Sequence, residues 1–393
     1  MNDLFAQAQE LFEFSRQTRR DLHMHPELGY REVRTAGIVA RELASLGMEV
    51  TTGVAETGVI GLLEGSQPGP VALVRFDMDA LPIEEDTGAE YASQTPGIMH
   101  ACGHDGHVAV GLTVARMLAA RKSNLHGAVK FVFQPAEEGL GGAERMIEAG
   151  VLESPAVDVT LSLHVWNERP VGWVGLVPGP LMAGADVFDV TIEGKGGHGA
   201  LPHTTVDPLI AAAQIVSALQ TVVSRNVPPL ETAVVSVCRL KAGEAFNVIP
   251  QRAEFAGTFR TFNPDVRKIV VERFAALVQG MAEALGCQAD VKIRRLTPAV
   301  INDPAVTERL TRAALVTLPD MLLDTTFRTM VSEDMAFMME KVPGCYMMVG
   351  SANASQGKVY GHHHPKFDID EAVLPRAAAL MAAAPLEMLK GKV

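Results

Sequence analysis

Cysteine and aromatic residues are scarce in this chain of 393 residues. It contains 4 cysteines, too few for a scaffold stapled by disulfides, and aromatic residues make up 5% of the composition. No apolar run is long enough to cross a bilayer, and the first residues lack the basic and apolar regions of a secretory signal. We therefore expect a cytoplasmic protein that does not bind a membrane.

Positive charge is also in short supply. The chain has 34 Lys and Arg residues against 46 Asp and Glu residues, which gives a net charge of −12. A protein that binds nucleic acid by neutralising phosphates has the opposite balance, so we expect no nucleic-acid partner. Apolar residues make up 48% of the chain, as in a packed globular protein, and the length predicts two domains.

Two different patterns of strands follow one another along the chain. In the first part, and again after Pro298, short continuous apolar runs alternate with helical patterns, which is typical of an α/β layer whose strands are buried on both faces. The predicted strands cover residues 71–76, 128–133, 157–163 and 346–349, and the predicted helices cover residues 31–46, 108–120 and 372–384.

From about Asp186 the strands alternate apolar and polar residues, which predicts a sheet with one face in water. Asp207 and Pro208 predict the start of a helix that continues to Arg225. The order strand, helix, strand, strand, helix, strand is that of a ferredoxin-like α+β unit. We therefore predict a discontinuous α/β catalytic domain over residues 1–184 and 297–393, with an inserted α+β lid and dimerisation domain over residues 185–296.

The segment from residue 99 to residue 107 has the highest density of candidate metal ligands. It contains Cys102, Asp105 and the three histidines His100, His104 and His107, just ahead of a predicted helix. Thiol and imidazole groups at this density suit zinc-like metal ions. A surface loop with incidental histidines is the alternative interpretation. Cys102 could also be an inert buried thiol or a nucleophile paired with His104.

Polar side chains follow three of the predicted strands. Glu137 and Glu138 come after the strand at 128–133, Asp77 follows the strand at 71–76, and His164 follows the strand at 157–163. In open α/β sheets, ligands bind at this edge. Of two adjacent carboxylates, one can bind a metal while the other takes a proton from water, although a solvated acidic loop is the alternative for the pair.

Three consecutive histidines, residues 362–364, lie near the C-terminus. An affinity tag would lie at a terminus, whereas this run is followed by Pro365, Lys366 and Phe367. We therefore expect the run to contribute to function.

Several short motifs together resemble the M20 metallopeptidase and amidohydrolase clan. The match is to the branch with hippurate hydrolases, N-acyl-amino-acid amidohydrolases and plant auxin-conjugate hydrolases. The motifs occur in order over nearly the whole chain, at residues 21–28 (DLHMHPEL), 75–82 (RFDMDALP), 100–107 (HACGHDGH), 135–139 (PAEEG), 194–203 (GKGGHGALPH), 246–250 (FNVIP) and 363–367 (HHPKF).

The resemblance implies a pair of divalent metal ions. The implied ligands are Cys102, His104, Glu138, His164 and His363, with Cys102 as a thiolate that bridges the two ions. His363 is chosen among the three histidines because the family pattern is His-x-Pro. The identity of the metal stays open among Zn²⁺, Mn²⁺, Co²⁺ and Ni²⁺.

The resemblance also implies roles for five other residues. Glu137 corresponds to the general base, and Asp77 to a carboxylate that orients a ligand or the base, with a strand-terminal cap as the alternative. His198 corresponds to a histidine that stabilises the tetrahedral oxyanion. Asn247 and Arg260 correspond to positions that bind the substrate carboxylate, although a surface charge on a strand is the alternative for Arg260.

The implied function is a metal-dependent amidohydrolase that works as a homodimer or a higher homo-oligomer. It would cleave N-acyl amino acids, such as hippurate-like or N-acetyl compounds, to a carboxylic acid and a free amino acid. A metallo-dipeptidase or carboxypeptidase, and an N-acetyl-diaminopimelate deacetylase, are alternatives within the family. A cysteine hydrolase with Cys102 as nucleophile, and a metal-storing or substrate-binding protein without catalysis, are alternatives from other classes.

Overall fold

The computed structural model describes residues 3–391 and divides into two compact units. The larger unit consists of residues 3–181, Ile301–Phe327 and residues 334–391. The smaller unit consists of Met182–Val300 and Arg328–Glu333. Each unit has its own hydrophobic core.

The α-helices of both units, in chain order, are α1 (Leu4–Glu10), α2 (Phe12–Met24), α3 (Val33–Ser45), α4 (His104–Ala119), α5 (Gly142–Glu148), α6 (Pro208–Ala218), α7 (Gln220–Asn226), α8 (Pro264–Ala284), α9 (Pro304–Thr317), α10 (Ala336–Met339) and α11 (Val373–Met388). Within the described residues, none of these helices combines the length and the apolar character that a membrane span needs.

The strands, in chain order, are β1 (Glu49–Val54), β2 (Gly58–Glu64), β3 (Gln67–Asp77), β4 (His126–Gln134), β5 (Val159–Pro170), β6 (Trp173–Gly175), β7 (Gly179–Met182), β8 (Gly184–Glu193), β9 (Gly197–His198), β10 (Ala233–Ala242), β11 (Val248–Ile249), β12 (Arg252–Thr261), β13 (Gln288–Thr297), β14 (Val300–Asn302), β15 (Leu322–Asp324) and β16 (Gly344–Ala352).

An eight-stranded sheet forms the centre of the larger unit. Its strand order is β1-β2-β4-β3-β5-β16-β6-β15. The central strands β4, β3, β5 and β16 run parallel, and they are the strands that the apolar runs predicted. Helix α4 is buried on nearly all sides, as expected because its sequence after His107 is apolar nearly all round. The predicted α/β architecture is confirmed.

Strand β5 is longer than predicted, and this corrects the expected position of His164. The strand continues to Pro170, so His164 lies inside it rather than after its end. The pairing of β5 with β3 stops at Ser162, but β16 continues alongside and pairs Met348 with His164. Pairing with β16 keeps β5 extended beyond Ser162. His164 therefore lies in the part of β5 that no longer pairs with β3.

The smaller unit is a four-stranded antiparallel sheet with helices α6, α7 and α8. The order β10-β12-β8-β13 is that of the predicted ferredoxin-like unit. Phe188 is in its core, with its ring centroid 4.5 Å from that of Phe274 and 4.9 Å from that of Phe259. The Asp207 side chain caps α6 as predicted. The single helix predicted to reach Arg225 is instead two helices, α6 and α7, separated at Leu219.

Candidate metal centre

Cys102 belongs to two groups of potential metal ligands in the larger unit. One group contains Cys102, His104 and His164, and the other contains Cys102, Glu138 and His363; within each group the ligand atoms lie within 4.8 Å of one another. The Sγ atom of Cys102 lies 3.5 Å from Nε2 of His164. Oε1 of Glu138 lies 3.2 Å from Nε2 of His363. The structure therefore brings these five side chains together, with one thiol common to both groups.

The backbone at Gly103 directs the two neighbouring candidate ligands. Gly103 has a φ of 90° and immediately precedes α4, whose first residue is His104. A Cβ atom at this position would lie 2.4 Å from Cγ2 of Val165. Both the positive φ and the close approach to β5 therefore require glycine between Cys102 and His104.

Backbone carbonyls fix the orientation of two imidazole rings. Nδ1 of His104 donates to the carbonyl oxygen of Asp79 at 2.9 Å, and Nδ1 of His164 donates to the carbonyl oxygen of Val165 at 2.6 Å. Nδ1 is therefore the donor nitrogen of each ring, so Nε2 is the nitrogen that can offer a lone pair to a metal ion. Nε2 of His104 is buried and has no hydrogen-bond partner among the residues that the structure describes. A metal ion fits this arrangement, because ligating histidines donate their other N–H in this way.

The electrostatic environment favours a cation. Burial lowers the pKa of His104, but Asp77 and Asp79 outweigh this effect and raise that pKa to about 10. Burial, followed by the nearby carboxylate of Glu138, raises the pKa of Cys102 well above its usual value. A bound divalent ion would supply the missing positive charge and ionise the thiol. An activated cysteine nucleophile needs a lowered pKa instead, so this environment argues against that role.

Asp77 is buried between a guanidinium group and an imidazole ring. Nη1 of Arg75 donates to Oδ2 of Asp77 at 2.6 Å, and Nδ1 of His107 donates to Oδ1 at 2.5 Å. The backbone N–H of Val165 donates to Nε2 of the same ring at 3.0 Å, which fixes the orientation of His107. Burial raises the pKa of Asp77, but His104, His107 and Arg75 outweigh it and hold that pKa well below its usual value. Asp77 is therefore ionised.

Two residues contribute to this region although the sequence analysis gave them no role. They are Asp79 and Asp334, which accepts from Nη2 of Arg75 at 3.0 Å. His107 was one of the candidate ligands in the dense segment, and the structure instead pairs it with Asp77, one helical turn from His104. No sequence pattern could have identified Asp334, because only the fold brings it beside Arg75 from a distant part of the sequence.

Glu137 and Glu138 lie in the loop between β4 and α5. Their carboxylates and the ring of His104 form a further group with ligand atoms within 4.8 Å of one another. The backbone N–H of Glu138 donates to Oδ2 of Asp79 at 3.0 Å, which anchors the loop. Both side chains are half-buried, so Glu137 is next to the candidate ligands and accessible to water.

The three C-terminal histidines have different surroundings. Nε2 of His362 donates to the carbonyl oxygen of Val165 at 3.0 Å, and burial lowers the pKa of His362 to about 3. Nδ1 of His364 accepts a hydrogen bond from a backbone N–H at 2.9 Å. Among the described residues, His363 is the one histidine of this run that joins a ligand group, where it faces Glu138.

His198, Asn247 and Arg260 belong to the smaller unit. His198 is exposed at the end of β9 and pairs with Val248 of β11, so it is close to Asn247. The carbonyl oxygen of Asn247 accepts from the backbone N–H of Gly199 at 2.8 Å. Arg260, in β12, donates from Nη1 to a serine hydroxyl at 3.1 Å and is half-buried. His203 is exposed in a short 3₁₀ helix of the same unit and remains without an assigned role.

Comparison with known proteins agrees with the resemblance in the sequence. Residues 73–387 match the model of peptidase family M20/M25/M40. The chain is 41% identical over 380 residues to an N-acetylcysteine deacetylase of Bacillus subtilis (strain 168), covering 95% of this chain and 97% of the relative. It is 38% identical over 368 residues to thermostable carboxypeptidase 1 of Saccharolobus solfataricus, covering 92% of each chain.

A solved structure shows the same fold over the full length. It is a Bacillus subtilis protein described as a dinuclear metal-binding peptidase of the M20 family. The sequences are 36% identical, the TM-score is 0.86, and the match covers 98% of this chain and 100% of the other. The chain therefore belongs to peptidase family M20/M25/M40.

Proposed function

We propose that this protein, a hydrolase that acts on amide bonds, cleaves N-acyl amino acids to a carboxylic acid and a free amino acid with the help of two divalent metal ions. The observation that carries the proposal is the thiol of Cys102, which is common to two groups of ligand atoms. The dinuclear metal-binding relative supports the metal pair, and the N-acetylcysteine deacetylase supports the substrate class.

Cys102, His104, Glu138, His164 and His363 are the residues that would hold the two ions. Their thiol, imidazole and carboxylate groups suit Zn²⁺, and also Mn²⁺, Co²⁺ and Ni²⁺. When bound, such ions polarise a carbonyl group and lower the pKa of water. The unpartnered Nε2 of His104 and the negative charge around it are the features of this chain that fit a cation.

Glu137 acts as the proton carrier of the proposed reaction. Its carboxylate accepts a proton from water while the water oxygen forms a bond to the amide carbonyl carbon. When the C–N bond breaks, the same carboxyl group donates that proton to the leaving nitrogen. Asp77 is held by hydrogen bonds from Arg75 and His107. Its carboxylate fixes the orientation of the His107 ring and places a negative charge beside the candidate metal ligands.

Three residues of the smaller unit complete the proposal. His198 donates a hydrogen bond to the oxygen that becomes negatively charged in the transition state. Asn247 and Arg260 bind the free carboxylate of the substrate, for which a guanidinium group offers two parallel donors. The proposed assembly is a homodimer or a higher homo-oligomer.

A small panel of substrates tests this proposal. Hippurate, N-acetylmethionine, N-acetyl-diaminopimelate and a dipeptide are each incubated with the metal-loaded protein and with a chelated control, and the release of amino acid is measured. We expect the metal-loaded protein to cleave hippurate or N-acetylmethionine and the chelated protein to cleave neither. Metal-loaded protein that binds these compounds without cleaving any would contradict the proposal and indicate a binding protein.

Peptide hydrolysis is the second candidate function, because one relative is a carboxypeptidase. Cleavage confined to the dipeptide would support this candidate over N-acyl amino acids. Cleavage confined to N-acetyl-diaminopimelate would instead identify a deacetylase of that compound. Turnover that survives complete removal of metal would favour a cysteine hydrolase that uses Cys102.

A further inference from the structure

Ala136, the residue before Glu137, has a backbone conformation that residues with a Cβ atom rarely adopt. Its φ is 56°, in the left-handed region, and it is fully buried. This conformation is unfavourable for alanine, so the surrounding structure must stabilise it. Any change at Ala136 would also change the direction in which the next side chain, that of Glu137, leaves the backbone.

Glu32 provides a hydrogen bond that stabilises this conformation. Its Oε1 atom accepts from the backbone N–H of Ala136 at 2.9 Å, and its Oε2 atom accepts from the hydroxyl of Thr57 at 2.5 Å. Glu32 is fully buried immediately before α3. Because each carboxylate oxygen has its own donor, the carboxylate is fixed in one orientation facing Ala136.

The rest of the loop is anchored at other points. The side chain of Asp334 accepts from Nε2 of Gln134 at 2.8 Å, just before the loop, and from the backbone N–H of Ala143 at 2.9 Å, just after it. The carbonyl oxygen of Ala136 accepts from the backbone N–H of Gly142 at 3.1 Å. Glu32 is therefore the group that fixes the N–H side of Ala136 inside a loop whose two ends are already tied.

We propose that Glu32 is a positioning residue for Glu137 and acts through the backbone N–H of Ala136. The inference rests on the proposed function, in which Glu137 accepts the proton from water. Glu32 lies outside every motif that carries the family resemblance, and it belongs to none of the groups of candidate metal ligands found among residues 3–391. Its contribution is the direction of the Glu137 side chain rather than contact with substrate or metal.

Substitution of Glu32 should lower kcat with little change in KM or in bound metal. In Glu32→Ala, Ala136 loses its acceptor and can leave the left-handed region. A catalytic group displaced by about 1 Å can cost on the order of 100-fold in rate, so we expect kcat to fall by about 10- to 100-fold. Glu32→Asp should behave similarly, because the shorter side chain withdraws the acceptor. Glu32→Gln, which keeps an acceptor oxygen, should retain most of the activity.

Thr57→Val is the matched control. It removes the other hydrogen bond of Glu32 and leaves the bond to Ala136 in place. We expect the kcat of Thr57→Val to stay within about threefold of that of the unsubstituted protein, because the hydrogen bond from the backbone N–H of Ala136 to Glu32 is kept. A loss in Thr57→Val as large as that in Glu32→Ala would overturn the inference.

A second substitution separates positioning from general support of the fold. Glycine adopts a φ near 56° without the penalty that alanine incurs. Ala136→Gly combined with Glu32→Ala should therefore recover at least about threefold of the lost kcat, although it restores no hydrogen bond. A general loss of stability would not be recovered by a glycine at this position.

The measurements are kcat, KM, bound metal by elemental analysis and the midpoint of thermal unfolding for each variant. If Glu32→Ala fails to fold, the comparison of Glu32→Asp with Glu32→Gln decides. Unchanged kcat in Glu32→Ala or Glu32→Asp, or an equal loss in Glu32→Gln, would overturn the inference. Glu137→Gln distinguishes failure of the proposed function from failure of this inference. If Glu137→Gln retains full turnover, the proposed function fails. If Glu137→Gln loses turnover while the Glu32 variants keep theirs, only the role of Glu32 fails.

Discussion

At the scale of single residues, the proposed chemistry depends on the carboxylate of Glu137. Glu137→Gln keeps the size of the side chain but removes the proton acceptor, so we expect turnover to fall by about 10²- to 10⁴-fold. Bound metal should not change, because the proposed ligands are intact. The measurement is turnover together with elemental analysis. Glu148→Gln, at an exposed glutamate in α5, is the control and should leave turnover unchanged.

Cys102 separates the metal mechanism from a thiol mechanism. Cys102→Ala removes the ligand atom common to both groups, so we expect bound metal to fall from about two ions per chain to below about one. Turnover should be lost in parallel. The exposed Cys238 provides the control variant Cys238→Ala, which should keep both metal and turnover. Lost turnover with full metal content in Cys102→Ala would instead identify Cys102 as a nucleophile.

Asp368 makes the stability of the larger unit depend on pH. It accepts from Nη2 of Arg19 at 2.8 Å and from the hydroxyl of Tyr91 at 2.8 Å. Burial raises the pKa of Asp368, but Arg19 and Lys358 outweigh it and lower that pKa below its usual value of 3.8. A carboxyl group with a lowered pKa stabilises the folded state fully above its usual pKa, and this contribution is lost as the pH falls from that value through the lowered pKa of the folded state.

We therefore expect Asp368→Asn to reduce the free energy of unfolding at neutral pH by about 3 kcal/mol and to weaken its dependence on pH below about pH 5. Denaturant unfolding at a series of pH values measures both effects. Asp320→Asn is the control, since Asp320 pairs with Arg376 at the surface with 61% of its side chain exposed, against 13% for Asp368. Its effect should stay below about 1 kcal/mol. Equal effects of Asp368→Asn and Asp320→Asn would contradict a special contribution of Asp368 to the stability of the larger unit.

The candidate ligands could be found from the sequence because their residue types are distinctive. Cys102 and His104 lie in one dense segment, and the family resemblance added Glu138, His164 and His363. Glu32 could not be found in this way, because a glutamate before a helix is an ordinary surface pattern and its partner Ala136 is distant in sequence. Its importance follows only from a buried contact that the folded chain creates.

At the scale of secondary-structure elements, the turn into α4 is the feature that places two candidate ligands. Gly103→Ala would introduce a Cβ atom at a φ of 90° and 2.4 Å from a side-chain atom of Val165. We expect a loss of about 1 to 3 kcal/mol in the free energy of unfolding, together with weaker metal binding. Denaturant unfolding and metal titration measure the two effects.

Gly37→Ala, within α3, is the matched control for Gly103→Ala. The added Cβ atom would meet only the mobile end of Arg41 at 3.4 Å, and alanine is the better helix former. This variant should therefore be unchanged or more stable by up to about 1 kcal/mol. Equal destabilisation of the two variants would show that the turn at Gly103 has no special requirement for glycine.

The central parallel strands were predicted, because their buried apolar runs are visible in the sequence. Strand β1 was missed because it is a largely exposed edge strand without an apolar run. Strand β2 was also missed, although its sequence is mostly apolar and buried. The true length of β5 depends on pairing with β16, which no local pattern reports.

At the scale of the whole molecule, all five candidate metal ligands belong to the larger unit. The chain has 2 tryptophans, Trp166 and Trp173, and both belong to that unit as well. The ring of Trp166 stacks on that of His362 at 4.9 Å, and His362 in turn contacts the ring of His164. We therefore expect tryptophan fluorescence to change when a metal ion binds near His164.

The central claim is that a pair of divalent ions supports amide hydrolysis. The most direct test titrates metal-free protein with Zn²⁺, Mn²⁺, Co²⁺ or Ni²⁺ and records both turnover of an N-acyl amino acid and tryptophan fluorescence. The account predicts no turnover without metal and a rise that reaches its plateau at about two ions per chain. Full turnover in protein shown by elemental analysis to contain no metal would contradict it.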